Sequence, residues 1–223
     1  PNGKVLVAGG GSGVATASSQ PIQSAELFDP ATGLFTVIGN MVERRSAHSA
    51  ILLDDGTVLI SAGSNGAGTL YPTNTAEIFN PANNSFTAVG PMNYPHLAQL
   101  PGKLRDGRVV QGSSYYNVTH TAAGGRITDE SEIYDPATQS FTPIAPMFKQ
   151  RIDIGAQGLL DGTLLIAGGV TTSPNFPSIF QSTSEIFDPA TSSWKLSGIM
   201  SSGRDEFSGL LLDDGRVMIS GGF

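Results

Sequence analysis

Cysteine is absent from all 223 residues. Its absence excludes a disulfide, a thiolate metal site and a cysteine nucleophile, and leaves the compartment open. Charge is scarce. Asp, Glu, Lys and Arg make up 14% of the chain, against about 25% in an ordinary soluble domain. The balance is acidic, with 12 Lys and Arg against 19 Asp and Glu, a formal charge of −7. Lys and Arg form no cluster, which disfavours nucleic acid and anionic membrane as partners, since both are met by basic surfaces. No run of 18 apolar residues exists, so no segment reads as a membrane-inserting helix. A helical period of apolar residues is missing as well.

What is abundant is turn chemistry. Gly accounts for 28 residues and Pro for 14, the Gly share being nearly double the usual ~7%. Four segments repeat in order: Ala25-Glu26-Leu27-Phe28-Asp29-Pro30-Ala31, Ala76-Glu77-Ile78-Phe79-Asn80-Pro81-Ala82, Ser131-Glu132-Ile133-Tyr134-Asp135-Pro136-Ala137 and Ser184-Glu185-Ile186-Phe187-Asp188-Pro189-Ala190. The Glu spacings are 77−26=51, 132−77=55 and 185−132=53. Each segment is followed by an aromatic (Phe35, Phe86, Phe141, Trp194) and then a Met (Met41, Met92, Met147, Met200). A second apolar run recurs five times, at Val5–Val7, Val58–Ile60, Val109–Val110, Leu164–Ile166 and Val217–Ile219.

These runs are short, β-branched or aromatic, and bounded by Gly, Pro, Asp or Asn, which is the strand signature. Asp55-Gly56, Asp106-Gly107, Asp161-Gly162 and Asp214-Gly215 read as hairpin turns, because Gly takes positive φ at little cost. Asp-Pro-Ala-Thr at 29–32, 135–138 and 188–191 is a second turn, with Pro fixing φ. Each period therefore holds four strands, a (Ala47–Leu53), b (Thr57–Ser61), c (Ala76–Phe79) and d (Ser85–Val89) in the second unit. A four-stranded unit of about 50 residues, stacked on copies of itself, predicts an all-β propeller.

The double-Gly ends Val-Leu-Val-Ala-Gly-Gly (5–10), Leu-Leu-Ile-Ala-Gly-Gly (164–169) and Met-Ile-Ser-Gly-Gly (218–222) resemble strand b of a kelch repeat, and the aromatics of strands c and d fit the same pattern. The resemblance covers the whole chain and implies a kelch-type β-propeller like the central domain of galactose oxidase. The units run over about 3–55, 56–106, 107–161 and 162–214, with a partial unit at 215–223, so that 1–223 reads as one propeller domain or part of one. The low-charge texture, rich in Gly, Ser, Thr and Asn, resembles bacterial secreted or surface proteins, which implies an extracellular or cell-surface location. A chain opening Pro1-Asn2-Gly3 without Met is expected to have lost an upstream segment. The order b-c-d, three times a-b-c-d, then a-b allows a closed four-bladed ring, but favours part of a six- or seven-bladed one. Open blade edges would allow self-association.

Strand alternation puts the b–c and d–a connections on one face and the short a–b and c–d turns on the other. The b–c connections, about 10–24, 64–74, 115–130 and 170–183, read as long, dissimilar loops, and such loops on a rigid scaffold are where binding concentrates. Four residues after each Met comes a cation or His: Arg45, His96, Arg151 and Arg204. One reading has them satisfy loop carbonyls or pair with the strand-c glutamates Glu26, Glu77, Glu132 and Glu185. The other makes them a ring that recognises an acidic or sugar ligand. The unit around His96 is irregular. Pro101-Gly102 interrupts its strand a, Gln111-Gly112-Ser113-Ser114 replaces Ala-Gly-Gly, and Tyr115, Tyr116 and His120 follow. Local rule-breaking is expected at functional sites. The candidate ligand-binding residues are therefore Arg45, His96, Tyr115, Tyr116, His120, Arg151 and Arg204.

No residue set amounts to a catalytic signature, and no cofactor or metal is expected. The oxidase resemblance would imply a copper site with a Tyr–Cys cross-link, which a chain without Cys cannot form. His48, His96 and His120 fall in different units, and His48 takes the inner strand-a place held by Ile154 and Phe207, which suits core packing. The expected function is a noncatalytic binding module for a protein or glycan, using the b–c/d–a face. The alternatives are part of a kelch-fold oxidase or sugar isomerase completed by further blades, and a structural repeat of a surface assembly.

Overall fold

A computed structural model describes residues 3–11, 20–66, 72–97, 101–117, 125–152, 154–173 and 176–222, with the side chains of 113–117, 125–126, 172–173 and 176–178 left aside. Among the described residues every regular element is a strand. In chain order, β1 (Val5–Ala8), β2 (Ile22–Asp29) and β3 (Leu34–Arg45) form the first sheet. The second holds β4 (Ser49–Leu52), β5 (Val58–Ser61), β6 (Ala76–Asn80) and β7 (Ser85–Ala88). The third holds β8 (Gly102–Lys103), β9 (Val109–Asn117), β10 (Gly125–Asp135) and β11 (Ser140–Ile144). In the fourth, β12 (Gly155–Gly158) and β13 (Leu164–Ala167) precede a separate hairpin, β14 (Val170–Ser173) with β15 (Phe176–Phe180), before β16 (Thr183–Asp188) and β17 (Ser193–Ile199) complete the sheet. The fifth is the pair β18 (Ser208–Leu211) and β19 (Val217–Ser220). Neighbours within every sheet are antiparallel.

Short side-chain-to-backbone bonds fix the turns. The Asp55 carboxylate accepts the Thr57 amide at 2.9 Å, and Asp161 accepts that of Thr163 at 3.0 Å. The Thr hydroxyls add a second bond to each carboxylate and hold both acids below the usual carboxylate range. The glycines after them sit at φ of 85° and 90°, a region strained for any side chain. Across each c–d hairpin an aromatic pair faces itself: Phe28–Phe35, Phe79–Phe86, Tyr134–Phe141 and Phe187–Trp194, with centroids 4.9 to 5.1 Å apart. Such tilted pairs add ~0.5–1.5 kcal/mol beyond their buried area.

The core lies between sheets, not within one. Leu27 and Met41 of the first sheet meet Ile60 and Phe79 of the second. Leu59 and Met92 meet Val109 and Tyr134 of the third, and Leu104 and Met147 meet Leu164 and Phe187 of the fourth. The Trp194 indole N–H reaches back to the Ala145 carbonyl at 2.9 Å, tying the fourth sheet to the third. The outer sheets have less cover: Phe35 and Val37 in the first and Leu210 in the fifth are exposed.

Two expectations are corrected. The third b–c connection, expected as loop from about 115 to 130, continues as strand. Tyr116 pairs with Arg126 and Tyr115 with Ile127, beyond a bulge between Thr128 and Ser131. The fourth, expected as loop over 170–183, folds into the β14–β15 hairpin. Both stretches carry β-branched and aromatic residues that suit a pleated surface. Of the third strand a, expected over Leu97–Leu104, β8 retains Gly102–Lys103, while 98–100 lie outside the described residues. Pro101 has no N–H to give to a ladder.

Candidate functional site

Strand b ends in a backbone crossover that needs glycine. Gly168 and Gly169 sit at φ of 62° and 88°, with Gly9, Gly10, Gly63, Gly221 and Gly222 likewise at positive φ. Space is short as well as torsion. A Cβ at Gly168 would lie 2.6 Å from the Arg204 carbonyl oxygen, and one at Gly63 2.6 Å from that of Ser46. The same glycines press on the strand-a residues. Gly63 approaches His48, Gly169 approaches Ile154, and both Gly168 and Gly222 approach Phe207. His48 is thus a packing residue, and burial, then the nearby Arg45 charge, pushes its pKa down.

This crossover brings each d–a segment over the end of strand c. Arg45 is 1% exposed. Its Nε donates to Glu77 Oε1 at 3.0 Å, its Nη1 to the carbonyls of Ala62 and Thr75 at 2.9 and 3.1 Å, and its Nη2 to Thr75 Oγ1 at 2.8 Å. Arg151 repeats the pattern. Its Nη1 donates to the carbonyls of Gly168 and Thr183 at 3.0 and 2.8 Å, and its Nη2 to Thr183 Oγ1 at 3.1 Å and Glu185 Oε1 at 2.8 Å. His96, fully buried, places Nε2 3.1 Å from Glu132 Oε1. The glutamates also collect main-chain amides: Val42 on Glu77 at 2.7 Å, Asn93 and Tyr94 on Glu132 at 2.7 and 2.9 Å, and Phe148 and Lys149 on Glu185 at 2.7 and 3.0 Å. Burial pushes the Glu132 carboxyl up, but the bonds from His96, Asn93 and Tyr94 outweigh it and hold the pKa below the usual range.

The expected cations therefore do not converge. Arg45, His96 and Arg151 each turn into the sheet that follows and hold it to the d–a segment they stand on, beneath the loop face. Arg204 occupies the same position in the fifth sheet, half-buried, with Nη1 on the Gly221 carbonyl at 2.9 Å. Tyr115 and Tyr116 lie on the extended β9–β10 ladder, and His120 lies outside the described residues. Sequence reasoning missed a polar network above Arg45. Glu43 accepts from Asn65 Nδ2 at 2.7 Å and from the Thr75 hydroxyl, and sits 3.3 Å from the Arg45 guanidinium. Burial pushes the Glu43 carboxyl up, and these groups more than offset it. The signal was the shared Thr-x-Glu of Thr75-Ala76-Glu77 and Thr183-Ser184-Glu185.

On the b–c side, β14 lies against β10, so the raised connections of the third and fourth sheets adjoin. The hairpin exposes Ile179 at 60% and Phe180 at 46%. The opposite, a–b turn side carries a depression of ≈ 390 Å³ bordered by Ile51, Asp54, Lys103, Arg105, Leu160 and Leu211. Its cations are engaged: Lys103 Nζ with Asp54 Oδ1 at 2.7 Å, and Arg105 with the Leu160 carbonyl. Among the described residues, no three of His, Asp and Glu gather closely enough to hold a metal ion.

No family model matches the chain. Kelch-like protein 23 of Pongo abelii is 22% identical over 178 residues, and that of Homo sapiens 23% identical over 180. Each match covers 80% of this chain and 29% of the relative, so the chain spans less than a third of the length of these curated relatives. A solved structure described as "Structure of YjhT" superposes with a TM-score of 0.77 at 14% identity, covering 99% of this chain and 74% of that one. With the repeated antiparallel sheets, these likenesses make the fold a kelch-like β-propeller.

Proposed function

We propose that this kelch-like β-propeller is a noncatalytic binding module whose ligand is a protein held on the b–c/d–a face. The observation that carries the reading is the contrast between what lies under that face and what lies on it. Beneath, Arg45, His96 and Arg151 are enclosed and bonded to the scaffold. Above, the β14–β15 hairpin, which lies against β10 of the third sheet, exposes Ile179 and Phe180. Apolar side chains raised on rigid strands suit a protein surface, where aromatic and aliphatic anchors carry most of the binding energy. Tyr115, Tyr116 and Arg204 belong to the same proposed face. A protein ligand fits these anchors better than a glycan does. An extracellular location is part of the same proposal, and fractionation of the source cells tests it.

The test is chemical cross-linking of the chain in a source extract, then purification of the cross-linked protein and titration against the chain in isolation. Cross-links within 115–130 and 170–183 and direct binding in the titration are expected. Cross-links confined to the a–b turns at 54–56, 105–107 and 160–162 would overturn the assignment.

A further inference from the structure

Position 134 is the one place where the repeated strand-c aromatic carries a hydroxyl. Phe28, Phe79 and Phe187 hold the matching places in the first, second and fourth sheets. The third sheet has Tyr134, opposite Val109. Its ring packs 4.9 Å from that of Phe141, and the residue is 0% exposed. The hydroxyl is buried and has no hydrogen-bond partner among the described residues. Buried polar groups are nearly always bonded, and phenylalanine would serve the packing alone. Burial, then the charges of Asp55 and Asp135, pushes the Tyr134 pKa up to about 12. At neutral pH the group therefore keeps its proton and can donate it.

Tyr134 borders a groove of ≈ 360 Å³ between the second and third sheets, on the side of the a–b and c–d turns. That volume lies at the lower end of the ~300–1,000 Å³ of small-molecule sites. Both flanking sheets have all four strands. The Gly90 amide fixes one margin by donating to the Gln139 carbonyl across the two sheets at 3.1 Å. Asp55, Thr57, Asn83 and Ser85 line the rest. The Thr57 hydroxyl donates to Asp55 Oδ1 at 2.6 Å, and that of Ser85 to Asn83 Oδ1 at 2.7 Å. Both hydroxyl oxygens are thus left to accept. Thr57 engages Asp55 through Oδ1 alone, so Oδ2 accepts as well. Tyr134 and the Asn83 amide nitrogen supply donors. No Lys, Arg or His borders the groove among the described residues. The matching gap between the third and fourth sheets differs. Arg108 stands there in the place of Thr57, with its guanidinium on Asp106 at 2.7 and 2.9 Å.

We propose that the groove between the second and third sheets binds a small neutral polyhydroxyl compound, a sugar or cyclic polyol, with one ligand hydroxyl held between Tyr134 and Asp55. A hydroxyl donates and accepts at once, so one group takes the Tyr134 proton in a hydrogen bond and gives its own to the carboxylate. Neighbouring hydroxyls of the same ligand meet the Thr57 and Ser85 oxygens and the Asn83 amide in the same way. An anion would face Asp55 with no cation to balance it. A cation would satisfy the acceptors and leave the Tyr134 and Asn83 donors unmet, which is costly in an enclosed site. This groove lies on the turn side, away from the loop face, and stands or falls without the function proposed there.

The experiment titrates galactose, glucose, mannose and myo-inositol separately into the 223-residue chain, followed by amide chemical shifts. The expected result is a saturable change, for at least one of the four, concentrated at residues 55–57, 83–87 and 134–139. Tyr134→Phe and Asp55→Asn each weaken that binding about 10-fold or more, as for a lost buried hydrogen bond. Tyr134→Phe puts in the residue that the other three sheets use, and Asp55→Asn keeps an acceptor for Thr57, so both variants fold. A response to a hexose and a response to inositol each support the proposal and separate its two sources. No saturable change with any of the four, changes confined to other parts of the chain, or a Tyr134→Phe variant that binds as tightly as the parent would overturn it. Calcium chloride or ethylammonium chloride moving these amides where no polyol does would assign the groove to a cation and overturn it as well.

Discussion

Replacing Arg151 by Met tests the joint that holds the blades. The change keeps most of the aliphatic volume and removes the guanidinium. It leaves Glu185 buried with the amides of Phe148 and Lys149, and takes a donor from the carbonyls of Gly168 and Thr183 and from the Thr183 hydroxyl. Breaking a buried pair by deleting one partner costs about 3–5 kcal/mol, because the remaining charge stays out of water. At roughly 2–4 °C per kcal/mol for a domain of this size, the midpoint of thermal unfolding falls by ~6–20 °C. Arg204→Met makes the same chemical change at the matching position without a buried carboxylate, and costs under about 1 kcal/mol. Urea unfolding followed by Trp194 fluorescence suits the comparison. Trp194 is the single tryptophan, and it bonds Ala145 across the joint between the third and fourth sheets. The double variant Arg151→Met/Glu185→Gln costs less than the sum of its parts, because the stranded charge is gone. An Arg151→Met cost below about 1 kcal/mol, or equal to that of Arg204→Met, would refute the reasoning.

Further outcomes follow from burial, torsion and titration. Phe187→Ala, at a fully buried site between two sheets, costs about 3–5 kcal/mol in the same assay, while Phe35→Ala, 58% exposed, stays within about 1 kcal/mol. Gly168→Ala meets both a positive φ and the Arg204 carbonyl, and lowers stability by more than about 1 kcal/mol, whereas an unstrained Gly→Ala change raises it. The folded Glu132 pKa lies below its unfolded value, so its contribution is complete above about pH 4.3 and is lost as pH falls through the folded value. Glu132→Gln flattens that part of an acid-unfolding curve.

The scaffold was legible because its marks are local. Asp-Gly turns, the Glu-apolar-aromatic of strand c and the aromatic of strand d depend on neighbours a few residues away, and they recur in the same order. The pairing of Arg45 with Glu77 and of Arg151 with Glu185 spans more than 30 residues. Sequence offered it only as one of two readings. Burial decides where these side chains point, and burial depends on how blades stack. The β14–β15 hairpin is hard to read in the sequence, because Pro174 and Pro177 interrupt the alternation by which a strand is recognised. A two-stranded hairpin over a sheet edge tolerates Pro where a central strand would not. Ile179 and Phe180, exposed apolar side chains of that hairpin, carry no mark of their own in the sequence.

The central claim, binding through the b–c/d–a face, is tested most directly by comparing the two faces against one purified ligand protein. Calorimetric titration would use the chain, its Ile179→Ser/Phe180→Ser variant, and a Lys103→Ala/Arg105→Ala variant of the opposite side. The account predicts a loss of about 10-fold or more for the hairpin variant, as for a truncated apolar anchor, and unchanged affinity for the other. The reverse pattern would move the ligand to the a–b turns and contradict the account.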